Sequence, residues 1–591
     1  MQNTGNATEE LELPVNPGAE QAFGSDVVAD AIRATGVPFI ALTPGASFRG
    51  LHDSLVNYLG NRDPQMLVCL HEEHAVALAH GYAKVTGVPL AVALHSNVGL
   101  MHATMAIFNA WCDRMPMLII GATGPIDAAK RRPWIDWIHT ARDQGALVRP
   151  YVKWDDQPAS PLAAREAVWR GFWLARSAPC APVYINLDVE MQEGRLAAPV
   201  PPADPDRYMP QMTYSPGQAE VERLETLLSD AQRPLILFGR GSRDPKAWAA
   251  RVAVAERFGA KVMTDIKVGA TFPTDHPLHA IPPSTFPSTE GGRLIREADL
   301  LVSFDWVDLE GTLKTAWGDQ TRAQQVVQIT LDHHVHNGWS TDHQALAAVD
   351  MFVAADPDLT ALALAATAEL AATAGYVLSE PAQTPLAGKA DVAKVASALW
   401  QACEDRDVSL LHLPISWDGG FWPFRHPLDF IGGEGGAGIG AGPGVAIGAA
   451  LALRGSGRLP IAVTGDGDFI MGCNAIWTAT HYRIPLLMII LNNKSFFNDE
   501  VHQERVARMR GRPHENRWIG QRLDDPEISI VQLASAQGAT TFGPVDQAAD
   551  LLGVFAAAIA AVDRGEVVVV DVRIPAEYLA SIADSMTTLK A

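Results

Sequence analysis

The sequence predicts an α/β chain of three units, each a mainly parallel sheet flanked by helices. Three observations carry this. Short apolar runs of strand length alternate with helical stretches along the whole chain, the pattern of parallel strands covered on both faces. Two Pro-rich stretches, AAPVPPADPDRYMPQ and SEPAQTPLAGK, interrupt that alternation and read as linkers. At 591 residues the chain is too long for one core, and a prior of about 150 residues per domain gives three or four.

Residues 1–22 lack the basic region and apolar core of a signal peptide and read as a short, disordered acidic tail. Ser25 is the candidate cap of a first helix running through Val27, Val28, Ala31 and Ile32 to Gly36. PFIALTP, MLVCL, LAVAL, MLIIGA and VYINLDVE then supply the strands of a first unit, 23–192, followed by a linker at 193–215. The middle unit, 216–372, carries PLILFG, KVMTD, LLVSFD and VVQITLD, and an Ala-rich helix near Leu359 to Ala374. A second linker, 373–389, leads to a third unit, 390–580, with strands SLLHL, PIAVTGD, LLMIILNN and VVVVDVRI.

Hydrophobic content of 48% and charged content of 19% fit a well-buried enzyme. A net charge of -21 disfavours nucleic acid and anionic membranes as partners. No run reaches the roughly 18 apolar residues of a membrane span. Five cysteines stand far apart without a CxxC, as in a reduced, cytoplasmic protein.

The chemistry concentrates in the third unit. In PIAVTGDGDF a strand ends at Thr464, and Gly465 and Gly467 allow a tight turn at its C-terminal end, where open α/β sheets bind ligands. Asp466 in that turn is placed to ligate Mg2+, a hard cation that prefers oxygen. After a crossover helix, the strand LLMIILNN delivers Asn492 and Asn493 to the same sheet end. Upstream, Gly436, Gly438 and Ala441 satisfy a loose GxGxxA, but no strand leads into it, which argues against a nicotinamide or flavin fingerprint.

In the first unit, His71, Glu72, Glu73 and His74 form a strand-to-helix junction, where carboxylates are favoured in any case. A zinc-protease HExxH fails because Ala75 stands where the second histidine belongs. His95 follows the strand LAVAL in a loop. The cluster His333, His334 and His336 reads as a solvated loop, since adjacent histidines on a strand would face opposite sides.

These motifs carry a family resemblance over about residues 24–575. GDG followed by NN resembles the signature of thiamine diphosphate enzymes of the acetolactate synthase, pyruvate decarboxylase and benzoylformate decarboxylase group. The resemblance makes the three units a pyrimidine-binding, a middle and a diphosphate-binding domain. It implies that Asp466 and Asn493 bind Mg2+ through their side chains and Ser495 through its main-chain carbonyl. It also implies that Gly465, Gly467, Asp468 and Ser416 lie at the diphosphate. Asp468 departs from the small residue usual there. The Gly-rich segment would touch the aminopyrimidine through the main chain of Ala437 and Ile439, with the Ile439 side chain wedged beneath the cofactor.

His71-Glu72 followed by Gly81-Tyr82-Ala83 resembles the family's pyrimidine-binding segment. That assigns to Glu72 the carboxyl group that bonds pyrimidine N1′ and so promotes removal of the thiazolium C2 proton. The run LHS, a Gly four residues after His95, and then NAW is similar to benzoylformate decarboxylases, implying that His95 donates or accepts a proton. Acetolactate synthases carry Thr-Ser-Gly-Pro-Gly where this chain has His95-Ser96-Asn97-Val98-Gly99. Ser47, in Pro44-Gly45-Ala46-Ser47, is a candidate substrate contact. After Asn493 the relatives' short Tyr-Gly run is replaced by Phe496, Phe497 and an Arg-rich stretch. The two phenylalanines are candidate substrate contacts, and Arg505, Arg508, Arg510 and Arg512 are candidates for an anionic substrate arm.

The resulting expectation is a thiamine diphosphate- and Mg2+-dependent enzyme that cleaves or forms a C–C bond next to a carbonyl. A 2-oxo acid decarboxylase with carboligase activity is the first choice. An acetolactate synthase-like transferase or a 2-hydroxyacyl-CoA lyase acting on an aldehyde or acyl-CoA is the close alternative, and a nicotinamide or flavin oxidoreductase the distant one. FAD or another nucleotide in the middle domain is permitted by the resemblance but indicated by no residue. The resemblance implies a homodimer or homotetramer with active sites at the interface.

Overall fold

The computed structural model of the chain describes residues 12–285, 288–318, 322, 324–334, 346–366 and 378–578. They fold into three parallel sheets. In the first, β1 (Phe39–Leu42), β2 (Gln65–Val68), β3 (Leu90–Leu94), β4 (Met117–Thr123), β5 (Trp154–Asp156) and β6 (Pro182–Asp188) take the order 2-1-3-4-6-5. The second has β7 (Pro234–Phe238), β8 (Lys261–Thr264), β9 (Leu300–Phe304), β10 (Gln325–Ile329) and β11 (Met351–Val353), in the order 11-10-9-7-8. The third has β12 (Val408–His412), β13 (Leu459–Gly465), β14 (Leu486–Asn492), β15 (Thr540–Val545) and β16 (Val567–Arg573), in the order 12-13-14-16-15. The central strands are apolar and buried throughout, as expected where helices cover both faces.

Helix α1 (Glu72–Thr86) leaves the end of β2, and α2 (Ser96–Cys112) leaves β3. Both pack on the third unit. The partner of α1 is α3 (Gly442–Ala452), and their backbones touch: a Cβ on Gly81 would lie 1.9 Å from the Val445 carbonyl oxygen, and one on Gly448 would lie 1.8 Å from that of Leu78. The Gly of the Gly81-Tyr82-Ala83 run is therefore a contact point between two domains. The α2 helix lies along the Gly-rich loop, with Met105 against Gly438 and Phe108 and Asn109 against Gly436. The free edge of β2 is closed by the third unit as well, since the Val68 N–H donates to the Tyr482 hydroxyl at 2.9 Å and the Thr478 hydroxyl donates to the Val68 carbonyl.

Several expectations change. Ser25 lies inside the first helix (Gly24–Ala34), whose N-cap is Phe23 with no side-chain cap bond. Asp26 instead accepts from the backbone N–H groups of Ala22 and Phe23. Strand β13 runs one residue further than Thr464, and a helix begins at Asp466 itself. Of the expected tail, residues 1–11 lie outside the described residues, while Glu12 accepts hydrogen bonds from Tyr482 and His481. The Ala-rich helix covers Pro357–Ala366, and the remainder of that stretch lies outside the described residues, as does His336. His333 sits edge-on to Phe352.

Candidate active site

Strands β13 and β14 are parallel neighbours with Gly465 opposite Leu491, so Asp466 and Asn493 emerge side by side at the C-terminal edge of the sheet. Asp466 opens helix α4 (Asp466–Gly472) and is 3% exposed. Burial raises its carboxyl to about 6, against hydrogen bonds from the N–H groups of Lys494 and Gly467. The turn Asn493–Ser495 closes through Lys494 at φ 58, and the Asn493 Oδ1 accepts the Ser495 N–H at 2.9 Å. Asn492 is turned into the sheet, where its amide donates to Asp571.

Asp468 does something other than expected. One of its oxygens accepts the Gly440 N–H at 2.5 Å and the Gly442 N–H at 3.4 Å, and the other accepts the Thr464 hydroxyl. A carboxylate so engaged shapes the Gly-rich loop and has no donor to offer a diphosphate. Across the loop, His412 at the end of β12 pairs with Glu434 at 2.9 Å and donates through Nδ1 to the Val463 carbonyl. Burial pushes the His412 imidazolium down, but Glu434 and Asp468 outweigh it and bring it up to about 10. The loop is thus clamped at Glu434 and at Gly440, and between them Ala437 takes φ 52 and Ile439 stays half exposed. His412 and Glu434 were invisible in the sequence because β12 and the loop meet only in the fold. Ser416 lies partly buried in the loop after β12.

Phe496 stands against the GDG junction: a Cβ on Gly467 would be 2.6 Å from its ring. Phe497 turns the other way and is buried, edge-on to Tyr578 with the Arg517 guanidinium over its ring, so it belongs to the packing and not to a substrate wall. Helix α5 (Phe497–Met509) carries part of the Arg-rich stretch, where Arg508 pairs with Glu504 on the same helix. Glu500, fully buried, accepts the Ser495 hydroxyl at 2.6 Å and faces Arg517 and Arg522.

On the first unit, Glu72 is 8% exposed at the start of α1. Its two carboxyl oxygens have different surroundings. One faces Gly99, where an added Cβ would lie 3.0 Å away, and the other meets His102 Nδ1 at 3.1 Å. The same added Cβ would be 3.3 Å from His95, so Gly99 holds Glu72 and His95 on either side of one bare backbone position. His95 caps α2. Its Nδ1 accepts from the Ser47 N–H and lies 2.9 Å from the Ser47 hydroxyl, which in turn accepts the Ser96 N–H. That assigns the ring proton to Nε2. The approach requires Gly45, where any Cβ would strike the His95 ring. His139, beside the short helix Ile135–Ile138, stands edge-on to His95 at 4.6 Å, and with burial it lowers the His95 pKa. Ser47 and His95 are therefore brought together, and His139 is a third member that sequence spacing did not reveal.

Three family models match the chain. They are the thiamine pyrophosphate enzyme N-terminal TPP binding domain over residues 23–147, the central domain over 221–361, and the C-terminal TPP binding domain over 416–572. The chain belongs to the thiamine pyrophosphate enzyme family. Among curated relatives, the benzoylformate decarboxylase of Pseudomonas aeruginosa is 26% identical over 448 residues, covering 73% of this chain and 80% of that protein. The acetolactate synthase of Bacillus subtilis is 22% identical over 556 residues, covering 90% of each. Among solved structures, the 4-hydroxybenzoylformate decarboxylase of Rhodococcus jostii RHA1 superposes with a TM-score of 0.74 at 21% identity, over 94% of this chain and all of that one; at that identity the likeness concerns the fold.

The residues of this thiamine pyrophosphate enzyme fit its cofactor. The Asp466 carboxylate and the Asn493 amide emerge together at one sheet end, oxygen donors of the kind a hard cation takes. Gly465 meets nothing within 4 Å where a side chain would be, leaving room beside them. A separate cavity of about 490 Å³ lies between the first and middle units. Its four cations are all engaged within the protein: Lys84 with Asp113, Arg114 and Arg240 with Asp332, and Arg243 with backbone carbonyls.

Proposed function

We propose that the chain is a thiamine diphosphate- and Mg2+-dependent 2-oxo acid decarboxylase with carboligase activity. When bound, the cofactor supplies a nucleophilic carbon for cleaving or forming a C–C bond next to a carbonyl. Asp466, Asn493 and the Ser495 carbonyl hold Mg2+ and, through it, the diphosphate. Ala437 and Ile439 present the Gly-rich loop to the pyrimidine, and Glu72 exchanges a proton with it.

The observation that carries the decarboxylase reading is His95. Ser47 fixes its Nδ1 as an acceptor, so the Nε2–H is the donor left for a substrate oxygen, and Gly99 sets that ring beside Glu72. A neutral histidine next to the acid suits holding the carboxylate of a 2-oxo acid and then moving a proton to the carbon from which CO2 has left. Phe496 supplies an apolar wall. Self-association into a homodimer or homotetramer is part of the same reading, supported by Leu70, Met101, Ile439 and Met471, which remain about half exposed around these elements. The five cysteines form no disulfide with one another, which supports a cytoplasmic location. No helix among the described residues is long and apolar enough to cross a membrane.

The test supplies benzoylformate, pyruvate and a 2-hydroxyacyl-CoA separately, with thiamine diphosphate and Mg2+. The expected product is the aldehyde from the bulky 2-oxo acid, with kcat falling about 100-fold or more in Glu72→Gln. Acetolactate from pyruvate alone, or cleavage of the CoA thioester substrate alone, overturns the decarboxylase assignment.

A further inference from the structure

The turn that carries Asn493 is anchored by a buried acid that the proposed function leaves unused. Lys494 stands at φ 58, a left-handed conformation that a residue with a side chain adopts at a cost. Neighbouring segments enforce it. The Leu523 N–H donates to the Lys494 carbonyl at 2.8 Å, and the Phe496 N–H donates to the Gln521 carbonyl at 3.0 Å. Within the turn the Ser495 N–H donates to Asn493 Oδ1, so the orientation of that amide follows the placement of Ser495. Ser495 is itself buried, and its hydroxyl donates to Glu500 Oε1 at 2.6 Å.

Glu500 lies in the first turn of α5 and is fully buried. A helix N-terminus favours a carboxyl group wherever it points. Burial is a separate requirement, because a buried carboxyl group needs partners. Arg522 Nε reaches Glu500 Oε1 at 3.3 Å and Arg517 Nε reaches Oε2 at 3.3 Å. Arg517 also pairs with Glu504 and lies over the Phe497 ring, so Phe497, Glu500 and Glu504 share one face of α5. Glu500 thus has the turn on one side and two arginines from beyond α5 on the other.

We propose that Glu500 is a positioning residue for the cation site: by holding the Ser495 hydroxyl it sets the turn that presents Asn493 beside Asp466. The inference rests on the reading of Asp466 and Asn493 as donors to Mg2+. Its action passes through the backbone. The Ser495 N–H orients the Asn493 oxygen, and the Lys494 N–H bonds the Asp466 carboxyl group. One buried hydrogen bond, from Ser495 to Glu500, therefore governs the placement of both donors. Arg517 and Arg522 support it from behind, which ties two cations of the Arg-rich stretch to the cation site.

The experiment uses Mn2+ as the probe cation. With thiamine diphosphate present, free Mn2+ is measured by electron paramagnetic resonance during titration of wild type, Glu500→Gln, Glu500→Ala, Ser495→Ala, the Ser495→Ala/Glu500→Ala double variant and Asp466→Ala. Tm is taken for each protein without cofactor. Glu500→Ala is expected to raise the Kd for Mn2+ about 10- to 100-fold, as loss of an orienting partner does at metal sites generally. Ser495→Ala should raise it too, at a Tm near that of wild type. The double variant should bind no more weakly than Glu500→Ala alone, because both substitutions remove the same bond. Glu500→Gln keeps an oxygen for the Ser495 hydroxyl and should recover most of the affinity. A wild-type Kd in Ser495→Ala overturns the proposal, whether or not Glu500→Ala folds. Losses that multiply in the double variant, or a Glu500→Gln as weak as Glu500→Ala, make Glu500 a residue of the fold alone and also overturn it. A wild-type Kd in Asp466→Ala instead overturns the underlying reading of the cation site.

Discussion

Asp466 is 3% exposed and carries a carboxyl that burial lifts to about 6, which makes its chemistry pH-dependent in a defined direction. Its folded pKa lies above the unfolded value, so in the cofactor-free protein this group withdraws stability as pH rises from about 4 through 6. Mg2+ takes only the ionised form. Cofactor binding supported by Mg2+ should therefore weaken by up to about tenfold per pH unit below about pH 6, measured as Kd by fluorescence quenching between pH 5 and 8. A flat profile would remove Asp466 from the metal site. Asp466, Asn493 and Glu72 were legible in the sequence because each belongs to a short motif at a strand end, where spacing alone fixes position. His102, His139 and His412 were not, since each meets its partner from a different element. The one signal that could have found His102 is its place three residues after Gly99 on the same helix, which sets it on the face that Gly99 opens towards Glu72.

Helices α1 and α3 cross with backbone against backbone, and this contact joins the first domain, which carries Glu72, to the third, which carries Asp466. A side chain at Gly81 would overlap the Val445 carbonyl oxygen, which cannot move without breaking α3. Gly81→Val is therefore expected to destabilise by more than the roughly 1–3 kcal/mol of ordinary overpacking, read as a lower Tm and a loss of cofactor binding. Gly553 provides the contrast: it lies within the helix Ala548–Asp563 with nothing near its missing Cβ. Gly553→Ala should raise stability by about 0.5–1 kcal/mol. Equal effects of the two would show that the α1–α3 contact is not as drawn. The alternation that revealed the fold also explains its gaps. Strands β5, β11 and β15, absent from the apolar runs, each lie at the edge of a sheet. Half-exposed edges need no continuous apolar run, so they left no hydrophobic signal, whereas the doubly covered central strands did.

At the scale of the whole chain, Arg243 holds three units at one point. Its guanidinium donates to the Lys84 carbonyl from the first unit, the Val268 and Ala270 carbonyls from the middle one and the Ile431 carbonyl from the third. No acid is hydrogen-bonded to it among the described contacts, so its role is to satisfy backbone oxygens where domains meet. Nearby, Arg114 of the first unit pairs with Asp332 of the middle one, and Lys84 donates to the Gly433 carbonyl at 2.6 Å. Arg243→Met keeps the apolar stem but leaves the carbonyls without a donor, at about 1–3 kcal/mol for each that water cannot reach. The middle unit touches Glu72 and Asp466 through none of these bonds, so the loss should fall on cooperativity before it falls on chemistry. Calorimetry of Arg243→Met should show the single unfolding transition divide in two, the earlier one several degrees below wild type, with kcat little changed well below it. The Gly-rich loop begins one residue beyond Ile431, so a loosened junction should also raise the KM for thiamine diphosphate while that for substrate stays fixed. An undivided transition at the wild-type temperature would mean that the domains are coupled through their other contacts, Arg114–Asp332 and α1–α3 among them, and not through Arg243.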